Sequence, residues 1–262
     1  MKRNEIAAQL YCFRDYIRTE AGIADTFRRL REIGYESVQL TSAFPETLTT
    51  ERLNQLLKDH GLAALSSHES GPKIFSEPER IIGKLRELGV AHVAYPATHL
   101  HPTGVAEVVD FARQLNALAL KFREAGIVLA FHNHDKEFRR FEGKLMLDLV
   151  FDNAPDLEGE IDTHWVQRGG GDPEKWVRRL AGRMRVIHLK DYGVDTADFR
   201  DFWTNVPVMK PVGSGNLDWR GIIGAAEECG VRYFVVEHDQ NVTDPFASFA
   251  ESFRYLSENF VR

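Results

Sequence analysis

At 262 residues, 43% hydrophobic and 27% charged, the chain has an ordinary globular composition with enough apolar residues for a large core. Its 33 basic and 39 acidic residues leave a formal charge of −6, which argues against a broad phosphate-backbone footprint and so against nucleic acid as a partner. With no apolar run as long as a membrane span, no secretory leader pattern and only Cys12 and Cys229, the expectation is a reduced, cytoplasmic protein without a membrane partner.

The first predicted strand is IAAQLYCF, residues 6–13, and the helical pattern ADTFRRLREIG follows it. From there one phrase recurs: an amphipathic helix, a glycine, then a short apolar strand. It reads Glu32-Ile33-Gly34 before YESVQL, Asp59-His60-Gly61 before LAALSS and Glu87-Leu88-Gly89 before VAHVAYP. It returns as Glu124-Ala125-Gly126 before IVLAFH, Leu180-Ala181-Gly182 before RMRVIHL and Glu228-Cys229-Gly230 before VRYFVVEH. Glycine just past a helix is the left-handed cap from which the chain turns into a strand. A seventh junction, Asn153-Ala154-Pro155, precedes LEGEIDTHW, which makes eight strands in all.

Strand–helix alternation implies a parallel sheet, and eight units in about 250 residues match a (β/α)₈ barrel. The alternative, an open doubly wound sheet, would normally carry a glycine-rich phosphate turn after its first strand, and YCFRDYIRTEAG has none. The expected fold is therefore an α/β TIM barrel, a single domain over residues 1–262. Parallel strands closed into a barrel bring all eight C-terminal ends to one face, where barrel active sites lie.

Eight of the ten histidines fall at such strand ends: His68, His99, His101, His132, His134, His164, His188 and His238. Carboxylates join them at Asp162 in GEIDTHW and Glu237 in FVVEHD. Imidazoles and carboxylates are the usual ligands of Zn²⁺ and Mn²⁺. A carboxylate closing a buried strand needs a partner or a cation; for Asp162 alone a helix N-cap or a loop salt bridge is the competing explanation, but with His188 and Glu237 it reads as a ligand. In FHNHDKEF, His132 and His134 share one strand parity, with Asp135 and Glu137 following. Trp165, in DTHWVQRGGGDP, is either a sugar-stacking platform or core, and Asp172 with Pro173 reads as a helix start. The Gly213-Ser214-Gly215 turn is a weak phosphate cradle, lacking the Lys-Ser/Thr of a P-loop. The loop from Tyr192 to Val212, with Phe199, Phe202, Trp203 and Lys210, reads as a lid or a subunit contact. Lys190 has the parity of His188 and could meet a substrate oxygen or Asp191.

The ordered series HNHDKEF, EIDTHWVQRGGGDP, VIHLKD, GSGNLDW and VVEHD resembles the xylose isomerase-like barrel superfamily of sugar phosphate isomerases and epimerases, which also holds endonuclease IV-type enzymes. The resemblance spans nearly the whole chain. It implies one divalent cation on Glu, Asp, His and Glu from strands five to eight. Asp162, His188 and Glu237 match the last three. On strand five His132 stands where the epimerases have glutamate, so Glu137 is taken as the fourth ligand, with His132 or His134 as the competing choice. Mn²⁺ is the expected ion, with Zn²⁺, Co²⁺ and Fe²⁺ as alternatives.

The implied activity is sugar, sugar-phosphate or polyol isomerisation or epimerisation by proton abstraction beside a carbonyl, through an enediolate-like intermediate. The alternative on the same metal is a keto-sugar lyase or dehydratase acting on an inosose or 3-keto-glycoside. An endonuclease IV-like phosphodiesterase and a non-catalytic sugar-binding barrel rank lower. Glu237, His132, His134 and Lys190 are the expected proton-transfer and charge-stabilising groups. His164, Trp165, Gln167 and His68 are the expected substrate contacts. The expected partner is a small carbohydrate, and a homo-oligomer is compatible with the chain.

Overall fold

The computed structural model describes residues 1–96, 101–195, 206–239 and 244–262. Eight parallel strands form the barrel: Ile6–Gln9 (β1), Ser37–Thr41 (β2), Ala63–His68 (β3), His92–Tyr95 (β4), Val128–His132 (β5), Glu158–Glu160 (β6), Val186–Leu189 (β7) and Tyr233–Val236 (β8). Their order around the sheet is β6-β5-β4-β3-β2-β1-β8-β7. The remaining seam, between β6 and β7, is joined by an isolated parallel bridge between Asp162 and His188. There the His188 N–H donates to the Ile161 carbonyl at 2.9 Å. The chain is thus the expected α/β TIM barrel.

Each of the six glycines expected to end a helix has positive φ, from 63° at Gly61 to 122° at Gly34. At Gly34 space is also short: a Cβ would lie 2.7 Å from the Phe253 ring. The helical run after β4 is Val105–Glu124, the longest helix, as the sequence pattern implies. Most of the apolar core lies between barrel and helices, with Phe13, Phe27, Tyr95, Phe131 and Phe249 fully buried or nearly so. Among the described residues no helix is long and apolar enough to cross a membrane.

Inside the barrel the lower layer is apolar, with Ala7, Val186 and Val235 packed together and Leu65 against them. Above it the inward positions turn polar: Gln9, Gln39, Ser66, His68, His132, Glu160 and His188 are all buried. Barrel interiors are ordinarily filled by branched apolar side chains, so this upper layer departs from the packing norm. One irregularity helps to build it. Val38 pairs with Ala64 but Gln39 pairs with Ser66, a bulge that shifts the inward parity of β3 and delivers Ser66 and His68 to the interior.

The expected long loop after β7 contains an antiparallel ribbon, Asp191–Asp195 with Val206–Lys210. Phe199, Phe202 and Trp203 lie outside the described residues. The Gly213-Ser214-Gly215 turn does cradle an anion, but the anion is the chain's own. The buried Asp191 carboxylate accepts from the N–H groups of Gly213 and Gly215 at 3.0 Å each and from Trp219 Nε1 at 2.7 Å. Gly215 has no room for a side chain, since a Cβ would stand 2.2 Å from Asp191 Oδ1.

Asp191→Ala should leave those donors unpaired in a closed space. A loss of about 3 kcal/mol is expected in urea unfolding, because each orphaned donor costs roughly 1–3 kcal/mol. A loss under about 1 kcal/mol would show that the carboxylate does not hold the turn.

Candidate metal centre

The polar layer meets the C-terminal mouth around His188. Its Nδ1 lies 2.8 Å from Glu237 Oε2 and 4.0 Å from Asp162 Oδ2. Its Nε2 lies 2.9 Å from Glu160 Oε1 and 2.8 Å from Gln39 Oε1. The ring stacks on His68 at 4.9 Å and 4°, and meets His132 at 4.5 Å. Burial alone would hold the imidazole neutral, but Glu160 and Glu237 outweigh it and push its pKa up to about 10. Both carboxylates are held well below the usual range: burial raises them, and His188, with His68 at Glu160 and Lys190 at Glu237, overcomes it.

Asp162 has two duties in the structure, a helix cap and an ion pair. Its Oδ1 caps the helix Thr163–Arg168 by accepting from the Trp165 N–H at 3.0 Å. Its Oδ2 lies 2.8 Å from Lys190 Nζ. Burial pushes Asp162 up to about 6, with Lys190 pulling against it. Lys190 is fully buried and also reaches Glu237 at 2.8 Å and Asp239 at 2.7 Å. Burial disfavours its charge, but those three carboxylates hold it protonated well above the usual lysine range. Its partner is therefore not Asp191.

Strand five supplies two imidazoles. Burial, reinforced by His188 and His68, drives His132 well below its ordinary value. Burial and then Lys190 bring His134 down to about 3. Trp165 is half-buried, its ring 5.5 Å from His134 and 4.7 Å from His164, with Lys190 Nζ 5.2 Å from its centroid. That places an aromatic face beside the charged groups, as a stacking platform requires. His164 packs on Tyr192 of the ribbon at 4.8 Å.

The other expected residues separate. Gln167 is exposed, and so is His101, while His99 is outside the described residues. His238 turns to the helix Pro245–Phe260, its Nδ1 2.9 Å from Ser248 Oγ. Asp135 pairs with Arg168 at 2.9 Å. Glu137 is fully buried in the short turn after β5, where Oε2 accepts the His134 N–H at 2.6 Å, and burial pushes it up to about 7. Four residues went unread in the sequence: Glu160, Gln39, His92 and Asp239. Glu160 was within reach, since in EGEID it shares the inward parity of Asp162.

One donor atom each from His132, Asp162, His188 and Glu237 lie within 4.8 Å of one another, and all four residues are buried. At about 2.1 Å per bond, ligands around a small cation stand at most about 4.2 Å apart, so a contraction of a few tenths of an ångström seats an ion. The mixed donor set suits Mn²⁺, Zn²⁺, Co²⁺ or Fe²⁺. The residues fit a divalent cation, with His132 rather than Glu137 inside the set.

A family model described as xylose isomerase-like TIM barrel matches residues 27–259. The rhizopine catabolism protein MocC of Rhizobium meliloti is 26% identical over 246 residues, covering 81% of this chain and 73% of its own. A sugar phosphate isomerase/epimerase from Parabacteroides distasonis superposes with a TM-score of 0.81 at 20% identity, covering 98% of this chain and 95% of that one. A xylose isomerase-like TIM barrel protein from Mycobacterium smegmatis in complex with magnesium gives 0.73 at 18% identity, covering 97% and 95%.

Metal content separates the two strand-five candidates: His132→Ala should lose a bound divalent ion that Glu137→Gln retains, and the reverse result would restore Glu137 as the ligand. Glu137 also predicts a pH effect. Its folded pKa, about 7, is raised above the unfolded 4.5, so its favourable contribution is complete below about 4.5 and is lost as pH rises through about 7. Glu137→Gln should accordingly be more stable than the parent at pH 8, by about 3 kcal/mol in denaturant unfolding.

Proposed function

Because the chain belongs to the xylose isomerase-like TIM-barrel family, we propose that it is a divalent-metal-dependent sugar isomerase or epimerase that removes a proton beside a carbonyl. The observation that carries this reading is the buried convergence of His132, Asp162, His188 and Glu237 at the barrel mouth. The sugar phosphate isomerase/epimerase neighbour supports a small carbohydrate as substrate, and the magnesium-bound neighbour supports a divalent ion.

Those four residues would hold the metal. When bound, it supplies Lewis-acid stabilisation of the negative charge that develops as the proton leaves. The chain provides the rest. Glu237, ionised by its neighbours, is the base that takes the proton. Lys190, locked as an ammonium between Asp162, Glu237 and Asp239, adds fixed positive charge beside the developing anion. His134, held neutral by burial, lies beside Trp165 and is the candidate to relay the second proton. Trp165 and His164 offer an apolar wall for the sugar ring.

A second reading rests on strand five. Imidazoles stand there in place of the second carboxylate that symmetric proton transfer on both faces of one carbon would use. After the same first step, transfer of a proton to a β-leaving group would make the protein a dehydratase or keto-glycoside lyase.

Incubation with Mn²⁺ and ketoses, inososes or 3-keto-glycosides in D₂O, followed by NMR, tests both readings. Deuterium should enter the carbon beside the carbonyl, and Glu237→Gln should abolish exchange. A chelator should also abolish it, and added Mn²⁺ should restore it. Full exchange in Glu237→Gln would remove that residue as the base, and exchange unaffected by the chelator would remove the metal. Loss of a β-substituent in the product would favour the second reading.

A further inference from the structure

The proposed reaction makes no use of Glu160, although this carboxylate sits at the centre of the barrel's buried imidazoles. His68 Nε2 contacts Oε1, and His188 Nε2 lies 2.9 Å from the same oxygen. His132 Nδ1 is 3.7 Å from Oε1, and His92 Nδ1 is 3.7 Å from Oε2. Those last two separations are too long for hydrogen bonds. Among the described residues His132 Nδ1 and both ring nitrogens of His92 have no hydrogen-bond partner, yet the two residues are 2% and 4% exposed. Unpaired imidazole nitrogens beside a buried carboxylate are costly unless something fills the gap between them.

A cation meets that geometry. Two ligands each about 2.1 Å from a tetrahedral ion stand about 3.4 Å apart, close to the His132–Glu160 spacing. One donor atom each from His68, His132, Glu160 and His188 lie within 4.8 Å of one another, and all four are buried. Opening the His188 contact by about half an ångström and the His68 contact by about an ångström, and closing the His132 contact, brings the four onto one shell.

We propose that His68, His132, Glu160 and His188 form a second divalent-cation site, deeper in the barrel than the one at Asp162 and Glu237. Glu160 precedes Asp162 by one inward-facing position, which sets the depth. His188 turns Nδ1 to the outer carboxylates and Nε2 to Glu160, so it can face both ions once both of its ring protons have gone to solvent. His132 belongs to both donor sets and likewise has two nitrogens to divide between them. Three imidazoles and one carboxylate favour Zn²⁺ or a similar imidazole-preferring ion, whereas the carboxylate-richer outer set also suits Mn²⁺.

The test is metal stoichiometry on the full chain, stripped with a chelator, reloaded with Zn²⁺ alone, gel-filtered and analysed for metal. The parent should hold two equivalents. Glu160→Gln and His68→Ala should each hold one, and Asp162→Asn should hold one by losing the outer ion. Reloading with Co²⁺ should give the visible absorption of a four-coordinate, nitrogen-rich site in Asp162→Asn but not in Glu160→Gln. His68→Ala carries the test if Glu160→Gln does not fold, because it removes a ligand without burying an unpaired amide. One equivalent or fewer in the parent would overturn the proposal, as would two equivalents retained in both Glu160→Gln and His68→Ala. A parent with one equivalent that Asp162→Asn abolishes would sink the second site while leaving the proposed reaction's metal intact.

Discussion

His188 carries the constraint on which the rest of the mouth depends. Its main chain joins the last seam of the barrel, taking the Ile161 carbonyl and bridging to Asp162. Its side chain stands between Glu160 and Glu237. Barrel closure and the charge centre therefore share a residue. A strand slip by one position at this seam would turn every inward side chain of β7 outward. His188 and Lys190 would leave the interior together, and Asp162, Glu237 and Asp239 would face one another without a counter-ion. The electrostatic cost of that arrangement helps to fix the register.

The molecule keeps stability and chemistry in different layers. The shell between strands and helices is apolar, and so is the bottom of the barrel around Ala7, Val186 and Val235. The upper interior is occupied by amides, imidazoles and carboxylates that a purely structural barrel would replace with branched aliphatics. Buried ion networks of this kind are weak sources of net stability, because desolvation offsets most of the attraction. Their retention here points to function. The hydrogen-bonded run Gln9–Gln39–Ser66, with Gln39 also donating to Glu160 at 3.0 Å, shows how the layer is tethered to β1, β2 and β3.

The barrel was legible because its signals are local and repeated. A glycine after each amphipathic helix needs only the left-handed cap, and six such caps in series leave few topologies open. Asp162, His188, Lys190 and Glu237 were legible for a related reason, since strand parity places them inward once the barrel is granted. Gln39, Ser66 and His92 were not. The bulge between β2 and β3 shifts the register between Ala64 and Ser66, so parity counted from the start of β3 does not carry through to Ser66, and nothing in AHVAYP marks His92 as facing a carboxylate across the barrel. The Gly213-Ser214-Gly215 turn misled in an instructive way. A glycine-rich turn announces close approach to an anion, but sequence spacing does not say whether that anion is a ligand or the protein's own Asp191.

Asp191 also explains how Lys190 can be held in so unfavourable a place. The turn around Gly213 and Gly215 grips the Asp191 carboxylate, which pins the start of the ribbon and with it the backbone of the preceding residue. Thr163 Oγ1 takes the Lys190 N–H at 3.1 Å from the other side. The lysine stem then has one course, inward, to the pocket shared by Asp162, Glu237 and Asp239. A cation at the outer set would meet two carboxylates already paired with an ammonium, but each carboxylate oxygen keeps a further lone pair. Such a cation would displace a proton from His188, whose pKa of about 10 is held up by Glu160 first and then by Glu237, the only one of the two in the outer set. Asp239, which lies outside the outer set, holds Lys190 along with Asp162 and Glu237, and so keeps a carboxylate partner for the ammonium beside the mouth.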